Sequence, residues 1–529
     1  MLRTIGTIGV AVTSAGTADV GEGRGNGPPG DDDPGRTTLK LLHDTHVHGR
    51  YGDPDENENI ENYFGLMDHL AAETEHAMRL GNGDDLGSSA LSTVFEGKHI
   101  VDAFEAGGLG HDTFGNHDFD FGPEVLRTRI DETEGFQWVS ANVVDKGTGE
   151  VFGKEQGAKR FDVVEVDGVP VGVTGMLTER AREVTNLGPD TEVREPVEAI
   201  RDVVPAMRSS GAKVIVVLSH VANDVATEVA RSVGNVDVIV GDDAAEVLGA
   251  TEVQDTVLAF VGDGYDHLGE LTLDIRGKTV RGYDFTLHET SEAVDELGIE
   301  PDGAVERVAE AYRADVDSEV IGRTEVQLNC VTEDLRTEET NMGNFVADTI
   351  RADVGSDVVI QNGGGIRTDT LYPAGEITDL LIRQILPFGN TTVELEVSGA
   401  TLLEALENGV SEVDTLEGRF PQVSGMSFTW DPDASAGDRV TAVTVGGDPL
   451  DTGATYTLGT NDFMAGGGDG YEMLADAPTV GTGENLADAV IDRIGRLTPI
   501  SPEVEGRIAR GSSDSSSGSS ASLSTVPMR

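Results

Sequence analysis

Gly115-Asn116-His117-Asp118-Phe119-Asp120-Phe121-Gly122 places a carboxamide, an imidazole and two carboxylates within five residues. The stretch follows a Gly-rich apolar segment, 104–109, where a strand is expected to end and a loop to begin. Loops at strand ends are where a rigid scaffold presents chemistry. A carboxamide oxygen can ligate a hard or borderline cation, and an imidazole beside it, held off the metal, can donate to a substrate oxygen. Alone, the same residues also fit an Asx-type turn whose side chains bond to backbone. The segments around it decide between the two readings.

Upstream, a strand over 38–42 runs into His43-Asp44-Thr45-His46-Val47-His48-Gly49-Arg50. His46 and His48 project on one side of an extended segment, the arrangement of a pair of metal ligands. A helix is expected over 61–79, with His69 and His76 solvated, and Asp84 then follows a glycine near the end of a second strand. One carboxylate has two oxygens and can bridge two cations. Downstream, strands over 172–175, 214–218 and 236–240 alternate with helices such as 196–208, a pattern of βαβ units. Two of these strands run into Ser219-His220 and Gly241-Asp242-Asp243. His220 by itself also fits a satisfied buried histidine. Five ligand-type clusters at strand ends nevertheless point to one site, because active sites of open α/β sheets gather outside such ends.

The chain has 529 residues, enough for two or three domains, and 38% of them are hydrophobic. Asp and Glu number 96 against 37 Lys and Arg, a formal charge of -59, and no Lys follows Lys278. Such self-repulsion opposes a compact state unless counterions screen it, and at molar salt the Debye length falls to about 3 Å. A high-salt environment is therefore expected. A nucleic-acid polymer or an anionic membrane is an unfavourable partner, since no basic stripe meets a phosphate backbone. The single Cys330 excludes an internal disulfide and a Cys metal cluster. No apolar run reaches the roughly 18 residues that span a bilayer. The opening residues carry only a short apolar patch before small residues, which leaves export and cytoplasmic retention both open. Segments 1–37 and 509–529 lack apolar periodicity and are expected to be disordered.

A helix is expected over 302–318, with Val305, Val308, Ala309 and Tyr312 at helical spacing, linking two domains. The second domain contains a strand over 358–361, followed by Asn362-Gly363-Gly364-Gly365-Ile366-Arg367. Adjacent glycines let backbone approach a ligand, and the Arg after them offers a planar fork for phosphate. Further landmarks are Arg336, Pro387-Phe388-Gly389-Asn390, Phe420 and Asn461-Asp462-Phe463 through Asp469-Gly470-Tyr471.

Taken in order, these blocks resemble the calcineurin-type metallophosphoesterase domain of the secreted 5′-nucleotidase family, and the second half resembles that family's C-terminal domain. The resemblance implies an α/β (α+β) protein. A four-layer metallophosphoesterase β-sandwich flanked by helices would span 38–290, a linker helix 291–322, and a smaller α/β nucleotide-binding domain 323–508. It implies two divalent cations (Mn, Zn, Co or Mg) sharing Asp84, with His46 and His48 on the first and Asn116, His220 and Asp243 on the second. His117, oriented by Asp120, would stabilise the transition state. Arg336, Asn362 and Arg367 would hold the phosphate or sugar side, Asp469 a ribose hydroxyl, and Phe420 with Phe463 the base. The implied reaction is hydrolysis of a nucleoside 5′-monophosphate. Nucleotide sugars, 2′,3′-cyclic nucleotides and other nucleotide phosphoesters are alternatives on the same scaffold, and a metal-poor nucleotide-binding protein is another.

Two positions depart from the family pattern. His46 stands where the family has Asp, which Asp44 restores in a shifted register, and Gly241-Asp242-Asp243-Ala244-Ala245 replaces a Gly-Gly-His-x-His-type block. Asp243 substitutes an anionic oxygen for an imidazole, and Ala245 cannot ligate.

Overall fold

The computed structural model describes residues 36–511 apart from 44–45, 75, 278 and 317–318. Asp44 and nearly all of the two segments expected to be disordered lie outside the described residues.

The first half is built on two six-stranded sheets. One has the strand order Thr279–Glu289, His267–Arg276, Arg36–His43, Ala77–Leu80, His111–Asp112, Gln137–Trp138; the other runs Val247–Val253, Thr256–Val261, Val238–Val240, Val214–His220, Val169–Leu177, Asp162–Val166. Leu39, Leu41 and Leu271 of the first sheet and Val171, Val216 and Val240 of the second share one buried cluster, the filling of the sandwich. The outer face of the first sheet is covered by helices Ile60–Ala71 and Lys98–Ala106, and that of the second by Pro196–Ser209 and Asn223–Ser232. Helix, sheet, sheet and helix make the four expected layers. The central strands are hydrophobic without alternation, as strands buried on both faces must be.

Three expectations about local structure need correction. The helix over 61–79 ends at Ala71, and Ala77–Leu80 is a strand paired in parallel with Lys40 through His43. Its Met78 and Leu80 fill the sandwich, so tertiary pairing overrides helical propensity there. His69 is exposed as expected, but His76 lies 3.4 Å from Asp167. Phe104 belongs to the end of helix Lys98–Ala106, and the strand leading to Asn116 is His111–Asp112. The helix expected over 302–318 is Gly303–Asp315; Val305 and Ala309 are fully buried in the first half's core, so the helix packs as part of that half.

The second half centres on a five-stranded sheet in the order Pro421–Ser424, Val358–Asn362, Thr455–Asn461, Thr391–Ser398, Thr479–Asn485. Helices Asn341–Val354 and Leu486–Leu497 pack on one face through Ile350 and Val490. Helix Gly399–Gly409 and a small sheet containing Met426–Trp430 pack on the other through Leu402 and Trp430. This is the smaller α/β unit the sequence implied.

Candidate active site

Parallel registers carry the site. The strands ending at His43, Leu80 and Asp112 lie side by side in one sheet, and those ending at His220 and Val240 lie side by side in the other. The loops that follow therefore emerge at one edge of the sandwich. His46, His48 and Asp84 hold left-handed backbone angles of 37°, 52° and 60°. Strained non-glycine residues of this kind gather at functional sites. The loops are pinned from below by Asp118, whose carboxylate accepts the backbone N–H groups of Asp84, Asp85, Leu86 and Gly115 at 2.7–3.2 Å. Gly115 must be glycine: a Cβ there would lie 2.1 Å from Asp84 Oδ1.

The ligand atoms of His46, His48 and Asp84 lie within 4.8 Å of one another, and so do those of Asp84, His220 and Asp243. Asp84 belongs to both groups, as a bridging carboxylate must. His220 Nε2 is 3.2 Å from Asp84 Oδ2 and 3.3 Å from Asp243 Oδ1, while its Nδ1 faces the Asn82 carbonyl at 3.1 Å. An Nδ1–H donated to that carbonyl fixes the tautomer and leaves the Nε2 lone pair for a cation. Among the described residues, His46 Nδ1 is buried without a hydrogen-bond partner, and His220 Nε2 faces the two carboxylates. Burial, reinforced by His220, lowers His46 to about 4, and burial with His117 lowers His48. Burial opposes ionisation of Asp84, yet His220 and His117 hold its carboxyl below the ordinary range. Burial opposes protonation of His220 too, but Asp84 and Asp243 outweigh it and raise that imidazole well above its ordinary range, so a cation there would take the place of a proton. Neutral His46 and His48 beside an ionised Asp84, and a His220 whose proton a cation can displace, fit a pair of divalent cations. Asp242 belongs to neither group; it is fully buried, and one of its oxygens accepts the Glu246 N–H at 3.2 Å. Ala245, at a left-handed φ of 53°, adds no ligand.

Beside these groups, His117 Nδ1 is 2.8 Å from Asp120 Oδ2. Burial opposes protonation of His117, but Asp120 and Asp84 outweigh it and raise the imidazole to about 9. With Nδ1 bonded to Asp120, the proton on Nε2 remains for a ligand.

Both halves of the chain line one cavity of about 410 Å³. Asn116, His117, Asp120 and Asp243 line it from the first half, and Arg336, Asn362, Arg367, Phe388, Phe463 and Asp469 from the second. Arg180 and Glu417 join the two halves across it at 2.7 Å. Arg367 is lowered to about 10 by burial and by Arg336, two like charges held together as an anion clamp requires. Asn362 Nδ2 donates to Asp469 Oδ2 at 2.6 Å, and its Oδ1 accepts from Asn461 Nδ2 at 3.0 Å.

Phe420 is not a wall of this cavity. Its side chain is 1% exposed, in the core of the second half, with its ring 6.1 Å from Trp430. The register Asn362↔Pro421 turns it inward, and what it contributes to the glycine loop is its carbonyl, which accepts the Gly363 N–H at 2.7 Å. The aromatic side chains that line the cavity with Phe463 include Phe388, whose ring lies 6.1 Å from that of His117 and 5.3 Å from the Arg367 guanidinium. The signal was an aromatic in the Pro-Phe-Gly-Asn turn just after helix Asp379–Ile385.

Residues 320–476 match the family model of the 5′-nucleotidase C-terminal domain. A crystal structure of a 5′-nucleotidase precursor from Thermus thermophilus superposes with a TM-score of 0.72 at 28% identity, covering 90% of this chain and 99% of that one. Over nearly its whole length the chain is similar to proteins of the 5′-nucleotidase family. A snake venom 5′-nucleotidase of Gloydius brevicauda in this family is 27% identical over 532 residues, 90% of this chain and 89% of the relative. A trifunctional nucleotide phosphoesterase of Bacillus subtilis is 30% identical over 541 residues; the alignment covers 91% of this chain, which spans 35% of that relative's length.

Proposed function

We propose that the cleft hydrolyses nucleoside 5′-monophosphates to nucleoside and phosphate. The observation that carries this reading is the pair of ligand groups sharing Asp84 at one wall of a cavity whose other wall holds Arg336 and Arg367. His46, His48 and Asp84 would hold one divalent cation, and Asp84, Asn116, His220 and Asp243 the other, with Mn, Zn, Co and Mg the candidates. Bound there, the cations would supply an activated water and positive charge at the phosphoryl oxygens.

The protein's own groups do the rest. Arg336 and Arg367 orient the phosphate in line with the attacking water, a contribution of geometry and charge. His117 donates its Nε2 proton toward the oxygen on which charge develops as the phosphorus–oxygen bond breaks, and Asp120 holds the ring for that donation. Asp469 accepts from a ribose hydroxyl while Asn362 fixes it. Phe388 and Phe463 stack on the base, which favours any base because every base has a π-face. The names of the snake venom and Thermus relatives support this substrate class. That of the Bacillus relative, a trifunctional nucleotide phosphoesterase, supports more than one nucleotide phosphoester as substrate.

Metal analysis of the purified chain, followed by phosphate release from a nucleoside monophosphate with and without added cation, tests the reading. Metal-free protein that cannot be activated by any of the four cations would overturn it. Turnover of a nucleotide sugar or cyclic nucleotide well above that of the monophosphate would replace the substrate.

A further inference from the structure

A second concavity, of about 760 Å³, opens on the second half of the chain. Ser356, in its lining, precedes strand Val358–Asn362, and Asn362, at the other end of that strand, lines the active-site cavity. Five residues of strand separate the two by roughly 17 Å, so they are distinct.

Three arginines line this groove: Arg351 on helix Asn341–Val354, Arg493 on helix Leu486–Leu497, and Arg507 just before strand Ile508–Arg510. The two acids there, Asp348 and Glu505, are both engaged by Arg507. Its guanidinium reaches Asp348 at 2.8 and 2.9 Å and Glu505 at 3.1 Å. Arg351 and Arg493 have no ion-pair partner among the described residues. Arg351 Nε donates to the Ser356 carbonyl, at 3.4 Å. Arg493 lies over the Phe345 ring, 5.8 Å from its centroid, with its Nε buried and unpartnered among the described residues.

Two guanidinium groups outside any ion pair, Arg493 acting only at longer range on Asp348, run against the composition, in which 96 acidic residues face 37 basic ones. The groove backbone is shaped around them. Gly355, Gly425, Gly446 and Gly447 all hold positive φ, and a Cβ on Gly425 would lie 3.0 Å from Arg351 Nε and Cζ. Glycine there lets the guanidinium lie against the chain. Among the described residues no aromatic side chain lines the groove, so it offers no wall for a base.

We propose that this groove binds a small tetrahedral oxyanion, with Arg351 and Arg493 as its charged donors. A guanidinium presents its N–H groups in a planar fork that matches a phosphate or sulfate edge.

Equilibrium dialysis of the whole chain against inorganic phosphate tests the proposal, using wild type, Arg367→Ala, Arg351→Glu and the double variant Arg351→Ser/Arg493→Ser. Wild type should bind at two places. Arg367→Ala should lose the one in the active-site cavity. The groove variants should weaken the other by about tenfold or more, the scale of one lost charge-assisted contact, while turnover of p-nitrophenyl phosphate stays unchanged. Arg351 is exposed, so Arg351→Glu reverses the charge without disturbing the packed Phe345 contact of Arg493 and keeps the test valid if the double variant misfolds. Sulfate should compete for the groove, which separates oxyanion recognition from recognition of phosphate alone. Phosphate binding that disappears in Arg367→Ala and is unaltered by Arg351→Glu overturns the proposal.

Discussion

The His117 backbone N–H donates to Asp84 Oδ1 at 2.7 Å, tying the proposed acid to the bridging carboxylate it serves. The bond runs through backbone, so replacing the His117 side chain should leave the ligand groups in place. His117→Ala is expected to lower kcat by ~10²–10⁴-fold, the usual share of a positioned acid or base, with metal content unaltered. Asp84→Asn should instead reduce the metal bound per chain. Metal loss in His117→Ala would show that the ring is a ligand and not a donor.

Phe388 and Phe420 separate binding from packing. Phe388→Ala should raise KM for nucleotides and spare p-nitrophenyl phosphate, which has no base or ribose to place. Phe420→Ala should act on stability, by about 3–5 kcal/mol, as expected for emptying a core position, and should affect both substrates alike. Nucleotide-selective loss in Phe420→Ala would return that residue to the cleft.

The candidate metal ligands were legible because each is a chemically conspicuous side chain in a loop after an apolar strand or at its end, and parallel pairing then brings such ends to one edge. Asp118 was less legible. It sits inside the motif, but its four backbone partners come from a loop more than thirty residues earlier and from Gly115. Phe420 reads as a base contact although it lies just before strand Pro421–Ser424, which is buried throughout, so no alternation of polar and apolar residues marks which side chain there would face a cleft. Ala77–Leu80 read as helix because its strand character comes from its neighbour, Arg36–His43.

Acid should weaken the fold through His43. Its ring is fully buried against Phe285, both nitrogens lack a partner among the described residues, and burial lowers it to about 3. A histidine whose folded pKa lies below its unfolded one contributes full stability above about 6.5 and loses it as pH falls from there toward 3. By pH 5 the loss should be about 2 kcal/mol from this residue. In denaturant titrations the stability of wild type relative to His43→Leu should therefore fall by about 2 kcal/mol between pH 7 and 5, and a difference independent of pH over that range would contradict the assignment.

Salt should act in the opposite sense to its effect on a protein held by surface ion pairs. With a formal charge of -59, screening relieves more repulsion than attraction, so Tm and turnover should rise from dilute buffer toward molar potassium chloride. A chain fully folded and maximally active at low ionic strength would remove the high-salt reading and leave the site untouched.

The two proposed metal positions should differ. Asp84, His220 and Asp243 form one, with Asn116 proposed as its further ligand, and His46, His48 and Asp84 the other, because Ala245 stands where a further ligand is expected and Asp242 faces Glu246 instead. The position with fewer ligands should bind more weakly. The carboxylate of Asp243 makes the other more tolerant of harder ions such as Mn²⁺ than an imidazole would. Titration of metal-free protein followed by calorimetry should give two affinities, with activity following the weaker. Ala245→His should tighten that weaker step and leave the stronger one alone, provided the imidazole reaches inward from a left-handed backbone position. Two equal, tight steps in the wild type, unchanged by Ala245→His, would mean that a residue outside both groups completes the first position, and Asp44, the next residue in sequence after His43, would be the next to replace.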